Sequence, residues 1–522
     1  MRAAHRSIAW AALFLATIGG ACSPQTRGSR SFASAEPVTL AGAAQAPALL
    51  NRVTWGVDNK SVEQVSGQSL ADFLERQLEP SADDDLPAGI AKEVADLTAT
   101  MGTPQEIAAT LQRERQAIQG SKTSADANIA ARASYLQTLT HLRQMAADRF
   151  LLRAIYSKNQ LLEQVTWFWL NHFSVFPPKT EVGAWMADYE DNAIRRNALG
   201  GFRDLLAATV HHPAMLLYLD NVQNARGHLN ENYARELMEL HTLGIGGGYS
   251  QADVEALARI LTGLRVNETG APRTVPPSFA AQYRSNGLFE FEPRRHDYSD
   301  KIFLGHTIRG GGFAEIDEAL DLLSRSPATA RFVSRKLALF FVSDDPSDQL
   351  VGDMADTFRR TDGNIGAILR TLFASQEFAR SLGKKFKDPM HFVLSAVRAT
   401  KDDSAIGNLQ PMENWLTLLG EPVFGCQDPN GYPLTPSAWT SSGAMLSRIR
   451  IAKSLASGRS PLFAAPGSPT MEEPRPPQLQ NTAYYGAVAP ILGPATRNVL
   501  AQASSAAQFD MLFLSSPEFM YR

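Results

Sequence analysis

Asn230–Gly248 reads NENYARELMELHTLGIGGG. Its spacing predicts a helix with Asn230 as N-cap. At 100° per residue, Asn232, Arg235, Glu236 and Glu239 share one arc of about 100°. Tyr233, Leu237 and Leu240 fill the neighbouring apolar arc. One face is therefore expected on a core, while the other carries an amide, a guanidinium and two carboxylates. Gly244 is the expected C-terminal stop, and Gly246–Gly248 a permissive loop. His241 falls roughly opposite Asn232, so it does not join the two glutamates on one face. This is not the H-E-x-x-H pattern of a zinc protease. Two readings of the polar arc stand side by side. Arg235 and Glu239 form an i,i+4 pair on a solvated face, or the arc turns into a cleft.

The same helical grammar extends in both directions. Ser69 and Asp72 open a helix over Leu70–Leu78, and Thr103, Pro104 and Glu106 open one over Thr103–Ile118. Ile129 to Leu170 carries helical spacing for one long helix or two. Ser250 and Asp253 start a helix to Thr262, stopped by Gly263. Ala328–Val342 repeats the spacing, with Ser343 expected to cap the next helix. Alternating strand runs are scarce, and only short pieces such as Lys301–Leu304 are expected to pair locally. The fold class that follows is mainly α: a compact multi-helix body with long irregular loops and few short strands. Leu369–Arg380, LRTLFASQEFAR, echoes Met511–Arg522, MLFLSSPEFMYR, which hints at paired helix ends or a duplicated unit.

Composition narrows the classes. The 522 residues are 44% hydrophobic and 20% charged with a formal net charge of −3, which argues against a nucleic-acid binder with its basic stripe. Arg2 and Arg6 precede a short apolar run, Ile8–Ile18, and small residues then lead to Cys22, so residues 1–21 read as a signal peptide. Cys22 resembles the lipidated cysteine of a bacterial lipoprotein, although Gly19 stands where a Leu is usual. Plain signal cleavage is the competing reading. Residues 22–46 read as a flexible tether and 47–522 as one mostly helical domain. The protein is thus expected in the periplasm, on the outer membrane as a lipoprotein, or secreted. With two cysteines in all, no disulfide framework, c-type haem site or cysteine-rich zinc site is expected. The P-loop, G-x-S-x-G and dinucleotide patterns are absent as well.

Several runs act together as a signature. They are LLNRVTWG at Leu49–Gly56, WLNHF at Trp169–Phe173, the Asn230 stretch with its following GGYSQADVEALARILTG, and HDYSDKIFLG at His296–Gly305. SRKLALFFVSDDP at Ser334–Pro346, GYPLTPSAWTSSGAMLSR at Gly431–Arg448 and the C-terminal LFLSSPEFMYR complete the set. From Leu49 to Arg522 the chain resembles the bacterial domain-of-unknown-function 1800 family, which brings no established activity. The resemblance implies an envelope partner, because the family's genes often lie beside another family that resembles sulfatases or phosphatases.

Candidate site residues come from three segments. His172 closes the aromatic run Trp167–Phe173, either as a packed core side chain or as a base or ligand in a cleft. His296 and Asp297 sit in an irregular segment able to face the same cleft. His211-His212-Pro213 reads as a structural helix end. The metal expectation places His172, Glu236, Glu239, His296 and Asp297 around a divalent ion such as zinc, iron or manganese. Glu236, Glu239 and His172 would then be catalytic, with Arg235 holding a substrate carboxylate or phosphate. Without a metal, one glutamate raised in pKa could serve as general base. The alternative is a non-catalytic envelope protein that binds or assembles a partner. Convergence of these side chains on one polar pocket favours the enzyme, and their dispersal favours the binding protein.

Overall fold

Side-chain caps set many of the helix starts. Ser69 accepts from the Asp72 amide and opens the Leu70–Leu78 helix. Reciprocal capping boxes at Thr103/Glu106 and Ser250/Asp253 open the Pro104–Gly120 and Gln251–Ile260 helices. The computed structural model describes residues 46–66, 69–81, 86–122, 124–269, 271, 273–401, 406–464 and 476–522. Among them are twenty-four α-helices and five strands, so the fold is mainly α, as expected. The expected signal peptide, Cys22 and all of the tether except Ala46 lie outside the described residues.

The tract before the aromatic run divides into two helices, Ala125–Tyr156 and Gln160–His172. Lys301–Phe303 pairs antiparallel with His306–Ile308, the local pairing expected there. Phe289–Phe291 is the middle strand of a second small sheet, between Leu264–Val266 and Arg284–Asn286. One cap differs from expectation. Ser347, not Ser343, caps the helix Asp348–Arg360, accepting from the Leu350 amide, so Pro346 stays outside the helix.

The central helix runs Asn232–Glu239 with Glu231 at its N-cap, one residue shorter at its start than the sequence suggests. The Asn230 carboxamide accepts from the Asn232 amide at 3.0 Å and donates to the Asp220 carbonyl, which makes residue 230 a turn. Tyr233, Ala234, Leu237 and Met238 are buried, and the polar arc faces outward as drawn from the wheel. The helix ends at Glu239, and the Gly244 amide returns to the Met238 carbonyl at 3.2 Å. Gly244 has φ +80°, and a Cβ there would lie 2.7 Å from the Phe332 ring, so both conformation and space require glycine. Arg235 does not pair with Glu239. It reaches back to Glu231 at 3.0 Å and across to Gln251 at 2.9 Å.

The helix Ala46–Val53 supplies the clasp of the fold. Arg52 is fully buried. Its guanidinium donates to the carbonyl of Phe341 at 2.7 Å, to the hydroxyl and carbonyl of Ser381 at 2.8 and 2.6 Å, and to the carbonyl of Arg522 at 2.5 Å. The two echoed segments meet here. Ser375 accepts from the Phe378 amide and Ser516 from the Phe519 amide. Glu377 accepts from the amide of Ser347, and Glu518 from the amide of Gly493. These are the N-caps of the helices Asp348–Arg360 and Pro494–Ala501. Ser381 and Arg522 follow Phe378 and Phe519 by the same three steps. The sequence likeness is therefore a structural one: two equivalent turns, each stapled to a helix start, converge on one guanidinium.

Candidate functional site

The side chains predicted to share a metal occupy separate surroundings. His172 is buried against Phe168, Trp169 and Phe173, and its Nε2–H donates to the His241 carbonyl at 3.0 Å. His296 is buried between the carbonyl of Thr262, 2.9 Å from Nδ1, and the carboxylate of Glu315, 2.9 Å from Nε2. Asp297 pairs with Arg259 at 2.9 Å and accepts from the Ser299 amide at 2.9 Å. Those hydrogen bonds and the Arg259 charge outweigh its burial and hold its carboxyl well below the usual range. Among the described residues, no three His, Cys, Asp or Glu side chains converge as metal ligands would. The expected centre of His172, Glu236, Glu239, His296 and Asp297 is thus corrected. The physical reason is that each imidazole has a nearer structural partner than the glutamates.

His172 does meet the central segment, but through His241. His241 lies just past the helix end, fully buried, with both ring nitrogens unpartnered among the described atoms. Burial and the neighbouring Lys336 ammonium push its pKa down to about 3. Burial, Lys336 and His241 likewise drive His172 far down, and burial takes Lys336 to about 8. A histidine held neutral by the fold contributes stability above its unfolded pKa of about 6.5 and loses it as pH falls toward the folded value. At pH 4.5 that loss for His241 is about 2–3 kcal/mol. His241→Phe should therefore be near neutral at pH 7.5 and gain about 2–3 kcal/mol on the wild type at pH 4.5. Urea unfolding of both proteins at the two pH values checks this, and parallel losses in the two would refute it.

Asn171, next in the aromatic run, is a clamp. Its carboxamide donates to the Tyr432 carbonyl at 3.0 Å and accepts from the Tyr432 amide at 2.6 Å. The approach is close enough that a Cβ on Gly431, φ +80°, would lie 2.1 Å from the Asn171 carbonyl. Tyr218 holds the same loop by donating to the Gln427 carbonyl at 2.9 Å. The loop carries Asp428 toward the central helix. Burial, then Glu239 and Asp428, raise the Glu236 pKa, with Arg235 working the other way.

His391, which is buried, and the partly buried Asp388 form a pair closed to chemistry. His391 Nδ1 lies 2.8 Å from Asp388, and Nε2 accepts from the Arg522 guanidinium at 2.5 Å. No lone pair remains to take a substrate proton.

A cleft of about 800 Å³ opens elsewhere. Its walls come from the start of the Pro104–Gly120 helix, the Arg284–Phe289 hairpin and the junction at His211-His212-Pro213. A π-helical turn, Tyr189–Ile194, adds Asn192 and Ala193. Such turns recur at functional sites. His212 accepts from the Ala214 amide on Nδ1, so Nε2–H donates to Asp188, 2.9 Å away. That ring is structural, as expected of the helix end. His211 packs on Phe289 and Phe313, and its buried Nε2 has no partner among the described atoms. Sequence reasoning assigned both histidines to structure and missed the cleft. The signal for it was weak: Gln105, Arg196 and Arg284 share no motif and meet only in three dimensions.

These observations define a class: a mainly helical protein whose motif histidines are built into the core, with an open cleft of mixed polar and apolar lining. The chain matches, over residues 48–521, the family model described as "Protein of unknown function (DUF1800)", and it belongs to that family. No curated protein and no solved structure matches it.

Proposed function

We propose that this is an exported cell-envelope protein that works by binding a ligand in the His211 cleft, in concert with an envelope partner. The observation that carries the reading is the cleft, of a volume usual for small-molecule sites. The dispersal of His172, His296 and His391 into separate buried contacts supports it. The expected form is a protein recovered from the envelope fraction with acylated Cys22 as its first residue. A mature terminus beyond Cys22, without lipid, would remove the anchor from the proposal.

Thermal unfolding against a panel of neutral and acidic saccharides tests the binding itself. At least one class should raise Tm, and Ser285→Trp, which places an indole in the cleft wall, should abolish the rise. Equal stabilisation of both proteins, or none from any class, overturns the reading. A second reading, metal-free acid–base catalysis, is favoured by the raised pKa of Glu236. Under the first reading Glu236→Gln leaves ligand stabilisation unchanged. Loss of ligand conversion with binding retained would favour the second.

A further inference from the structure

We propose that the His211 cleft takes a ligand bearing an oxyanion, a carboxylate or a phosphate, on a larger polar body. The inference rests on the reading of the cleft as the ligand site. Two guanidiniums, Arg196 and Arg284, line it. Both are exposed, and among the described contacts neither has a carboxylate partner. Arg284 is steadied by donating to the carbonyls of Ala281 and Tyr283 at 2.8 and 3.0 Å. The carboxylate in the lining, Asp188, is already engaged by His212 at 2.9 Å and Asn192 at 2.7 Å. The lining thus carries two cations against one occupied anion. A planar guanidinium suits a carboxylate or phosphate through paired N–H donors.

The rest of the lining is uncharged and mixes amide and hydroxyl groups with apolar side chains such as Leu288 and Phe289. Gln105, Asn192 and Asn286 present amides, while the His211 ring packs against two phenyl rings with its Nε2 buried. Burial pushes the His211 pKa down to about 4, so near neutral pH it adds no third charge to the lining. A cavity of about 800 Å³ is far larger than a lone oxyanion needs. The charged group would sit at the arginines, and the body of the ligand would extend over the amides toward His211.

Calorimetric titration of the full-length mature protein at low salt tests this with three probes. They are digalacturonic acid for a carboxylate, glucose 1-phosphate for a phosphate and maltose as the neutral control. At least one acidic probe should bind tenfold or more tightly than maltose, and the tighter of the two identifies the oxyanion. The preference should fall by at least tenfold in the double variant Arg196→Gln/Arg284→Gln, whose exposed positions leave folding intact, as circular dichroism will verify. Acidic probes that bind the double variant equally well would overturn the proposal. So would maltose binding as tightly as they do. If maltose binding is also blocked by Ser285→Trp, the cleft remains the ligand site and only the oxyanion is lost. Binding of no probe overturns the oxyanion proposal, and if the neutral panel also fails, the binding reading falls with it.

Discussion

Glu315→Ala is expected to lower folding stability by about 3–5 kcal/mol, the range for breaking a buried ion pair from one side. Glu315, Lys301 and His296 are all buried. One carboxylate oxygen accepts from His296 and from the Gly312 amide, both at 2.9 Å, and the other takes the Lys301 ammonium. Removing the carboxylate leaves an ammonium and an imidazole facing a space without negative charge. Lys301 retains the Asp297 carbonyl, which cannot neutralise it. Replacing Lys301 with Met as well should recover part of the loss, because the stranded ammonium is then gone. Chemical denaturation of the single and double variants measures both values. A loss below about 1 kcal/mol for Glu315→Ala would contradict the assignment of this trio as a buried network.

Arg52→Met should cost about 3–5 kcal/mol, for a different reason. The methionine keeps the apolar stem but removes the charged donor from all three carbonyls, leaving the Ser381 and Arg522 carbonyls only the Lys384 and Lys385 amides and the Phe341 carbonyl none among the described contacts. Hydrogen bonds from a charged donor contribute about 1.5–3 kcal/mol each, less where neighbours relax. Arg52→Lys should recover less than half, because one ammonium cannot span the points that a planar fork reaches. Burial and the nearby Arg522 charge already depress the Arg52 pKa, with Asp344 opposing them. This guanidinium is therefore kept for its geometry. Urea midpoints of the three proteins give the comparison, and equal midpoints for Arg52→Lys and wild type would refute it.

What could be read in the sequence was local. A capping box spans four residues, so Thr103/Glu106 and Ser250/Asp253 announced their helices. The wheel of the central helix gave its buried face for the same reason. Partners chosen at a distance were not legible. His172 bonds to a carbonyl 69 residues away, and His296 to a carboxylate 19 residues away. Glu315 itself reads only as an ordinary third residue of a helix. The wheel correctly turned His241 from the glutamates, but it could not show that His172 waits on the other side. The cleft was hidden twice over: its charged residues are scattered along the chain, and the π-helical turn in its wall has no sequence signature.

Arg52 and the Arg522 carbonyl are 470 residues apart in the chain. At about 5–20 residues per second, a ribosome needs roughly half a minute to a minute and a half to make the span between them. Through that interval Arg52 has no acceptor from the second turn, and the helix that carries it cannot complete its docking. The native fold is in this respect a late event, reached only after residue 522 has been added. A nascent chain of this kind stays open long enough for chaperones to engage it before the clasp can close.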